Sequence, residues 1–323
     1  MKEYISKLHY EKNLNQLDKL VLICLKVISI PYFIGSALKN YLYKKNILKS
    51  YDTDCYVVSV GNLTTGGTGK TPITAEIANY LKNQGEKIYY EAYLAGDEPY
   101  WLSQNCKGVM VVTCSNRKKG IEFAKQKFGC KKFILDDGFQ HQKVKRNTNI
   151  LVIDGEKKFG NELILPAGPL REPITEIYRA DKIIIVNKKT TTRGLNGYKR
   201  VLERTLNLPV YICNMKLAHP YNIHTNEPYN FERVLAFCAI GQPEQFFNLL
   251  TFNTVGQKTF EDHHSYCEKD LENLFDSAKK LGASALITTE KDAVKIKELQ
   301  NSKDFKIYAS KLLPDLDVKE ILS

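Results

Sequence analysis

Short runs rich in Val, Ile, Leu and Tyr recur at residues 56–60, 87–92, 109–113, 133–136, 150–154, 183–187 and 210–214, separated by longer helix-compatible segments. Such runs, with little polar alternation, are the pattern of strands buried on both faces. Their alternation with helices predicts an α/β fold with a mostly parallel sheet and flanking helices. A second series repeats the rule, with strands at 234–240, 255–260, 285–288 and 306–308 and helices at 243–250, 268–281 and 290–299. The stretch 219–232 is polar, carries Pro and Asn and has no period, so it reads as a boundary. The pattern divides the chain into an N-terminal helical arm over 1–50, a main domain over 51–218 and a smaller C-terminal α/β lobe over 219–323.

The arm is the part where charge changes the picture. Residues 20–42 are apolar, but Lys26 and Lys39 leave an uncharged run of twelve, short of the ~20 residues that a spanning helix needs. The chain carries a net charge of +11, and nine lysines in the first fifty residues stand against Glu3, Glu11 and Asp18. A basic, apolar, Tyr-bearing helix is the pattern of an amphipathic anchor that lies on an anionic membrane surface. A helix packed on the main domain, with its lysines in water, is the alternative. The late start of the apolar stretch and the lack of a small-residue cleavage site argue against a secretory signal. Because the charge is gathered in an apolar arm and not in an aromatic-interleaved groove, nucleic acid is not the expected partner.

Elsewhere composition is that of a folded globular chain, with 43% hydrophobic and 26% charged residues. The eight cysteines are scattered without metal-ligand spacing and read as free thiols of a reducing compartment.

The run Thr64-Thr65-Gly66-Gly67-Thr68-Gly69-Lys70-Thr71 follows the first strand and precedes a helix-compatible segment over 72–83. Glycines let backbone amides turn toward a polyphosphate, the helix behind presents its positive end, Lys70 reaches the terminal phosphates and Thr71 offers a hydroxyl to Mg²⁺. The ligand expected here is ATP or GTP with Mg²⁺. Thr64 stands where the first glycine of the usual loop would be, which leaves the subclass open.

Several clusters surround this loop in the expected fold. The strand at 133–136 ends in Asp136 and Asp137, where a metal-holding carboxylate belongs, followed by Gly138-Phe139-Gln140-His141 at the ligand-binding end of the sheet. The rigid segment 165–173 presents Arg171 and Glu172, suited to a phosphate and to a metal or sugar hydroxyl. Asp97-Glu98 and Asp262-His263-His264 supply acids and imidazoles, and Arg117 a cation after the third strand. Thr288-Thr289-Glu290-Lys291-Asp292 reads as a helix cap.

Taken in order, VGNLTTGGTGKTP (60–72), GDEP (96–99), ILDDGFQH (134–141), LPAGPLREP (165–173), DHH (262–264) and TTEKDAVK (288–295) resemble the tetraacyldisaccharide 4'-kinase family over roughly residues 57–308. The resemblance implies a P-loop kinase-like fold and transfer of the ATP γ-phosphate to the 4'-hydroxyl of an acylated glucosamine disaccharide 1-phosphate. The reaction would take place at the cytoplasmic face of the bacterial inner membrane, with no obligatory protein partner. It places phosphate and Mg²⁺ binding on Lys70 and Thr71 and the base pair on Asp97 and His263. Glu98, Asp136, Asp137 and Glu172 would serve the metal and substrate. One departure stands out: Tyr89-Tyr90-Glu91-Ala92-Tyr93-Leu94-Ala95 runs straight into Gly96, where the family usually carries a Ser-Arg-Gly-Tyr-type strand end and a longer loop. A nucleotide-dependent switch is the rival reading, but such proteins often carry a second lysine where Thr65 stands.

Overall fold

The computed structural model describes the chain except at residues 1, 12, 86–87, 93–105, 107, 115, 190–191, 193, 231, 242, 263 and 304; of 2–3, 90–92, 112–113 and 301 it describes the backbone alone. Two compact units emerge. The first comprises Met1–Asn187, Arg193–Cys213 and Leu316–Ser323, and the second Lys188–Thr192 and Asn214–Asp315.

The first unit opens with helices α1 (Lys2–Tyr10) and α2 (Gln16–Lys44). It continues through β1 (Tyr56–Gly61), α3 (Lys70–Asn83), β2 (Ile88–Ala92), β3 (Met110–Thr113), α4 (Arg117–Phe128), β4 (Lys132–Asp136), β5 (Thr148–Asp154), β6 (Lys182–Asn187), α5 (Leu195–Leu206) and β7 (Val210–Leu217). Its strands lie in the order β3-β2-β4-β1-β5-β6-β7, and each registered pair from β3 to β6 is parallel. All seven residues of β5 are buried, as strands covered on both faces require, which is why these segments read as unbroken apolar runs. Strand order reverses at β1, with β4 on one side and β5 on the other. Open α/β sheets bind ligands at the carboxyl ends of strands at such a reversal. Val60 is paired with Asp136 across β1 and β4, so the loop after β1 and the carboxylates after β4 leave the sheet side by side. Gly61 permits this closeness, because a Cβ there would lie 2.6 Å from the amide nitrogen of Phe139.

Helix α2 runs for 29 residues, starting from a capping box in which Asn15 and Asp18 exchange backbone bonds. Its amphipathicity is inverted. The buried positions are Asp18, Ser29 and Asn40, spaced by eleven residues, which is close to three helical turns and therefore one face. Asp18 pairs with Lys7 of α1 at 2.6 Å, the Ser29 hydroxyl donates to the Ile164 carbonyl at 3.1 Å, and Asn40 accepts from Gln142 at 2.6 Å. Leu20, Ile23, Val27, Ile28, Ile34 and Leu38 are exposed. By length and composition the helix is long and apolar enough to cross a membrane, although its longest uncharged run is only twelve residues.

The second unit contains β8 (Tyr221–Asn222), β9 (Val234–Cys238), α6 (Pro243–Leu249), β10 (Thr254–Thr259), α7 (Glu268–Lys280), β11 (Ala285–Thr289), α8 (Glu290–Ile296), β12 (Lys306–Ser310) and β13 (Leu312–Asp315), after which α9 (Val318–Leu322) belongs again to the first unit. Its sheet runs β10-β9-β11-β12-β8, parallel except for β8. Phe237, Leu271, Leu274, Leu286 and Ile307 form part of its core. The units divide within β7, after Cys213, whereas the sequence pattern points to 219–232. Residues 214–217 pair antiparallel with β13, and the aperiodic stretch contributes β8, too short to show a period.

Gly61→Ala is expected to cost about 1–3 kcal/mol through overpacking against Phe139, measured as a lower Tm in thermal unfolding.

Candidate active site

Helix α3 starts at Lys70 on Gly69, whose φ of 89° lies in the left-handed region that favours glycine. Gly66 has φ of 101°. The turn at 64–69 therefore leads straight into a helix N-terminus, whose first amides have no partner within the helix, the arrangement that takes phosphate. Its outer side is fixed by backbone bonds: Thr65 donates to the Pro169 carbonyl at 2.8 Å and the Arg171 amide to Leu63 at 2.8 Å. The Pro/Gly segment thus lies along the loop and carries Arg171 to it.

The side chains converge on Asp137. Lys70 Nζ lies 3.5 Å from Asp137 Oδ1 and donates to Asn62 Oδ1 at 3.1 Å, while Arg171 Nη1 bonds Asp137 Oδ2 at 2.7 Å. Burial alone would raise the Asp137 carboxyl, but Lys70 and Arg171 outweigh it and hold it below the usual carboxylate range. Asp137 has φ of 46°, a left-handed conformation in a non-glycine residue. Such strain persists only where neighbours fix it. Asp136, buried at the end of β4, accepts from the Thr74 hydroxyl at 3.2 Å and the Asp137 amide at 3.0 Å.

Hard oxygen donors suited to Mg²⁺ are present in the Thr71 hydroxyl and the Asp136 carboxylate. Among the described residues no group of three metal-ligating side chains occurs. That sparse set fits Mg²⁺, which takes one or two carboxylates and completes its shell with phosphates and water.

Beside Asp137 opens a groove of about 390 Å³, whose lining includes Tyr32, Lys39, Gln140, His141, Lys143 and Arg171. Burial pushes the His141 imidazole down to about 4, helped by Arg117, Arg146, Lys143 and Lys39, so it is neutral at neutral pH. The larger cavity of about 530 Å³, lined by Ile30, Phe33, Ile164 and Leu170 among others, is apolar and holds none of the chemistry-bearing groups.

A family model described as tetraacyldisaccharide-1-P 4'-kinase matches residues 21–90 and 87–322. The chain belongs to the tetraacyldisaccharide-1-P 4'-kinase family. It is 32% identical to a tetraacyldisaccharide 4'-kinase of Halothermothrix orenii, over 86% of this chain and 84% of that one. It is 34% identical to one of Desulfotalea psychrophila over 80% and 83%. The solved structure of LpxK from Aquifex aeolicus in complex with ATP superposes with a TM-score of 0.70 at 26% identity, covering 94% of this chain and 97% of that one. The family's reaction is ATP-dependent 4'-phosphorylation of the lipid A disaccharide precursor, and the P-loop α/β fold agrees with it. The two matched pieces overlap at residues 87–90.

Of the residues that the sequence singles out, Lys70, Asp137 and Arg171 come together in one ion-paired group, and Gln140 and His141 line the groove next to it. Glu172 is 1% exposed, and its oxygens are held by Arg179 and by Lys39 at 3.3 Å, so it faces the protein behind the site. Arg117 is buried too, with Nη2 donating to the Asp136 carbonyl at 2.9 Å. Asp97, Glu98 and His263 lie outside the described residues. His264, next in sequence, bonds Asp270 at 2.9 Å. Asp292 of the TTEKD segment accepts from Thr289 at 2.7 Å and from the Ala239 amide at 3.1 Å, as a buried helix cap. Sequence reasoning gave no site role to Lys39, Asn62, Arg146 or Arg179. For Asn62 a signal existed in its place just before the phosphate loop.

The depressed His141 pKa has a stability consequence. The unfolded chain takes up a proton near the ordinary histidine value while the folded site resists until about 4, so its stabilising contribution is complete above pH ~6.5 and lost as pH falls toward 4. Thermal unfolding from pH 7.5 to 5 is expected to show a smaller decline in Tm for His141→Gln than for the native chain.

Proposed function

We propose that this chain transfers the γ-phosphoryl group of ATP to the 4'-hydroxyl of a tetraacylated glucosamine disaccharide 1-phosphate, with the nucleotide on the 64–71 loop and the sugar in the groove beside Asp137. The observation that carries the assignment of sites is the convergence of Lys70 and Arg171 on Asp137, between a phosphate loop and a groove with cationic lining. ATP is supported by the relative from Aquifex aeolicus, solved with that nucleotide.

Thr64, Thr65, Gly66, Gly67, Thr68 and Gly69 would cradle the phosphates by their amides, and Lys70 would neutralise the terminal oxygens. Thr71 and Asp136, with Glu98, would hold Mg²⁺, which when bound shields the charge that develops on the transferring group. The sugar oxygen attacks the γ-phosphorus, the bond to the β-phosphate oxygen breaks, and the hydroxyl proton passes to Asp97, supported by His263. Asp137, Gln140, His141 and Arg171 would orient the acceptor, whose 1-phosphate matches the cations of the groove. Arg117 and Glu172 would act from behind, through the Asp136 carbonyl and through Lys39 and Arg179.

The inverted helix α2 supports a peripheral position on the cytoplasmic face of the inner membrane. Its apolar face is turned outward, and full burial of each Leu, Ile or Val side chain gives roughly 1.5–3 kcal/mol.

In vesicles containing the acceptor lipid, label from [γ-³²P]ATP is expected to appear on the disaccharide. Lys70→Ala should lower turnover by about 10²–10³ and Asp97→Ala by about 10²–10⁴. ATP hydrolysis without lipid labelling would favour a nucleotide switch. Triple replacement of the exposed Ile23, Val27 and Ile34 by Ser is expected to weaken co-sedimentation with anionic vesicles by more than about 10-fold, and unchanged sedimentation would refute the anchor.

A further inference from the structure

The turn from Asp136 to His141 carries the acceptor-facing side chains, and four of its six carbonyls accept hydrogen bonds from cations. Arg117 holds the Asp136 carbonyl at 2.9 Å, Arg146 holds Phe139 at 3.2 Å and also His141, and Lys39 Nζ holds Gln140 at 3.2 Å. With its carbonyls turned to these donors, the turn keeps the left-handed Asp137 in place. Two of the donors arise near the turn in sequence. Lys39 comes from α2, 101 residues away.

We infer that Lys39 is a positioning residue for the acceptor site, so that the membrane-facing helix α2 is a structural part of that site as well as its anchor. Lys39 also pairs with Glu172 at 3.3 Å. Glu172 is bonded to Arg179, whose guanidinium lies 4.6 Å from the centre of the Phe139 ring. The Gln140 side chain donates to the Asn62 carbonyl at 2.8 Å, and the Asn62 side chain accepts from Lys70. Lys39 therefore sits at the outer end of a series of residues, Lys39, Gln140, Asn62 and Lys70, in which each is hydrogen-bonded to the next through either a backbone carbonyl or a side chain. Asn40, the next residue of α2, accepts from Gln142 and fixes the far side of the turn. The opposite face of the helix is apolar and exposed, and the C-terminal part of the side that meets the protein is committed to the site through Lys39 and Asn40.

The kinetic part of this inference rests on the proposal that residues 137–141 face the acceptor; the structural part does not. Both can be read from the full-length protein with Lys39→Met, which keeps length and removes the donor, and Lys39→Arg, which keeps donation. Without substrate, amide hydrogen exchange of residues 137–141 is expected to quicken in Lys39→Met by about 10-fold, the scale of one charge-assisted bond, and to stay near native in Lys39→Arg. In phosphatidylcholine/phosphatidylglycerol vesicles, the KM for the acceptor should rise by about the same factor in Lys39→Met, with the KM for ATP and vesicle co-sedimentation unchanged. Native exchange of the turn in Lys39→Met would overturn the inference. Faster exchange with a native acceptor KM would keep the positioning of the turn and overturn its place in the acceptor site. A loss that tracks vesicle release would reduce Lys39 to part of the anchor.

Discussion

Asp137 held between Lys70 and Arg171 is the interaction on which the rest of the site depends. Each of the three arrives by a different route. Lys70 stands at the start of α3 because the glycine turn ends there, Asp137 because β4 stops beside β1, and Arg171 because its own amide is bonded to Leu63. A carboxylate shared by two cations keeps its charge despite burial and keeps both cations extended toward the phosphate loop. In the proposed reaction Lys70 would pass from the carboxylate to phosphate oxygens and Arg171 to the acceptor without reorganising the backbone, which is the condition for electrostatic preorganisation.

Behind this group lies a layer of buried charge formed by Arg117, Arg146, Arg179 and Glu172. Arg146 is pushed down to about 9 by burial, with Arg179 and Arg117 adding repulsion. Burying cations is unfavourable unless their donors are satisfied. Here the turn carbonyls, Asn149 and Glu172 accept from several of these donors. The site is thus a thin active layer on a stiff ionic support, with α2 reaching both the support and the surface of the molecule.

Much of this was legible in the chain. The strands of both units announce themselves because a strand buried on two faces has to be apolar throughout, and the phosphate loop because its geometry is local. What sequence concealed was of two kinds. Short or edge elements such as β8 and β13 have too few residues to show a period, and β13 carries Pro314, allowed where a strand has an unpaired side. Helix α5 has Gly197 inside it and begins on Gly194, which hides a marked amphipathic face. The second kind is long-range. Lys39, Arg146 and Arg179 act through backbone carbonyls or a buried carboxylate far away or out of pattern, and Glu172, expected beside metal or substrate, is turned inward by Arg179 and Lys39. The apolar arm was legible as a helix, but not that three of its polar residues, Asp18, Ser29 and Asn40, would be the ones buried.

The most direct test of the account is a structure of the full chain with a non-hydrolysable ATP analogue and the disaccharide 1-phosphate. The expected result has the γ-phosphate within hydrogen-bonding distance of Lys70 Nζ, the sugar in the groove between Asp137 and Arg171, and Asp97 at the attacking oxygen. A disaccharide bound away from that groove, with Asp137 and Arg171 still closed on each other, would contradict it.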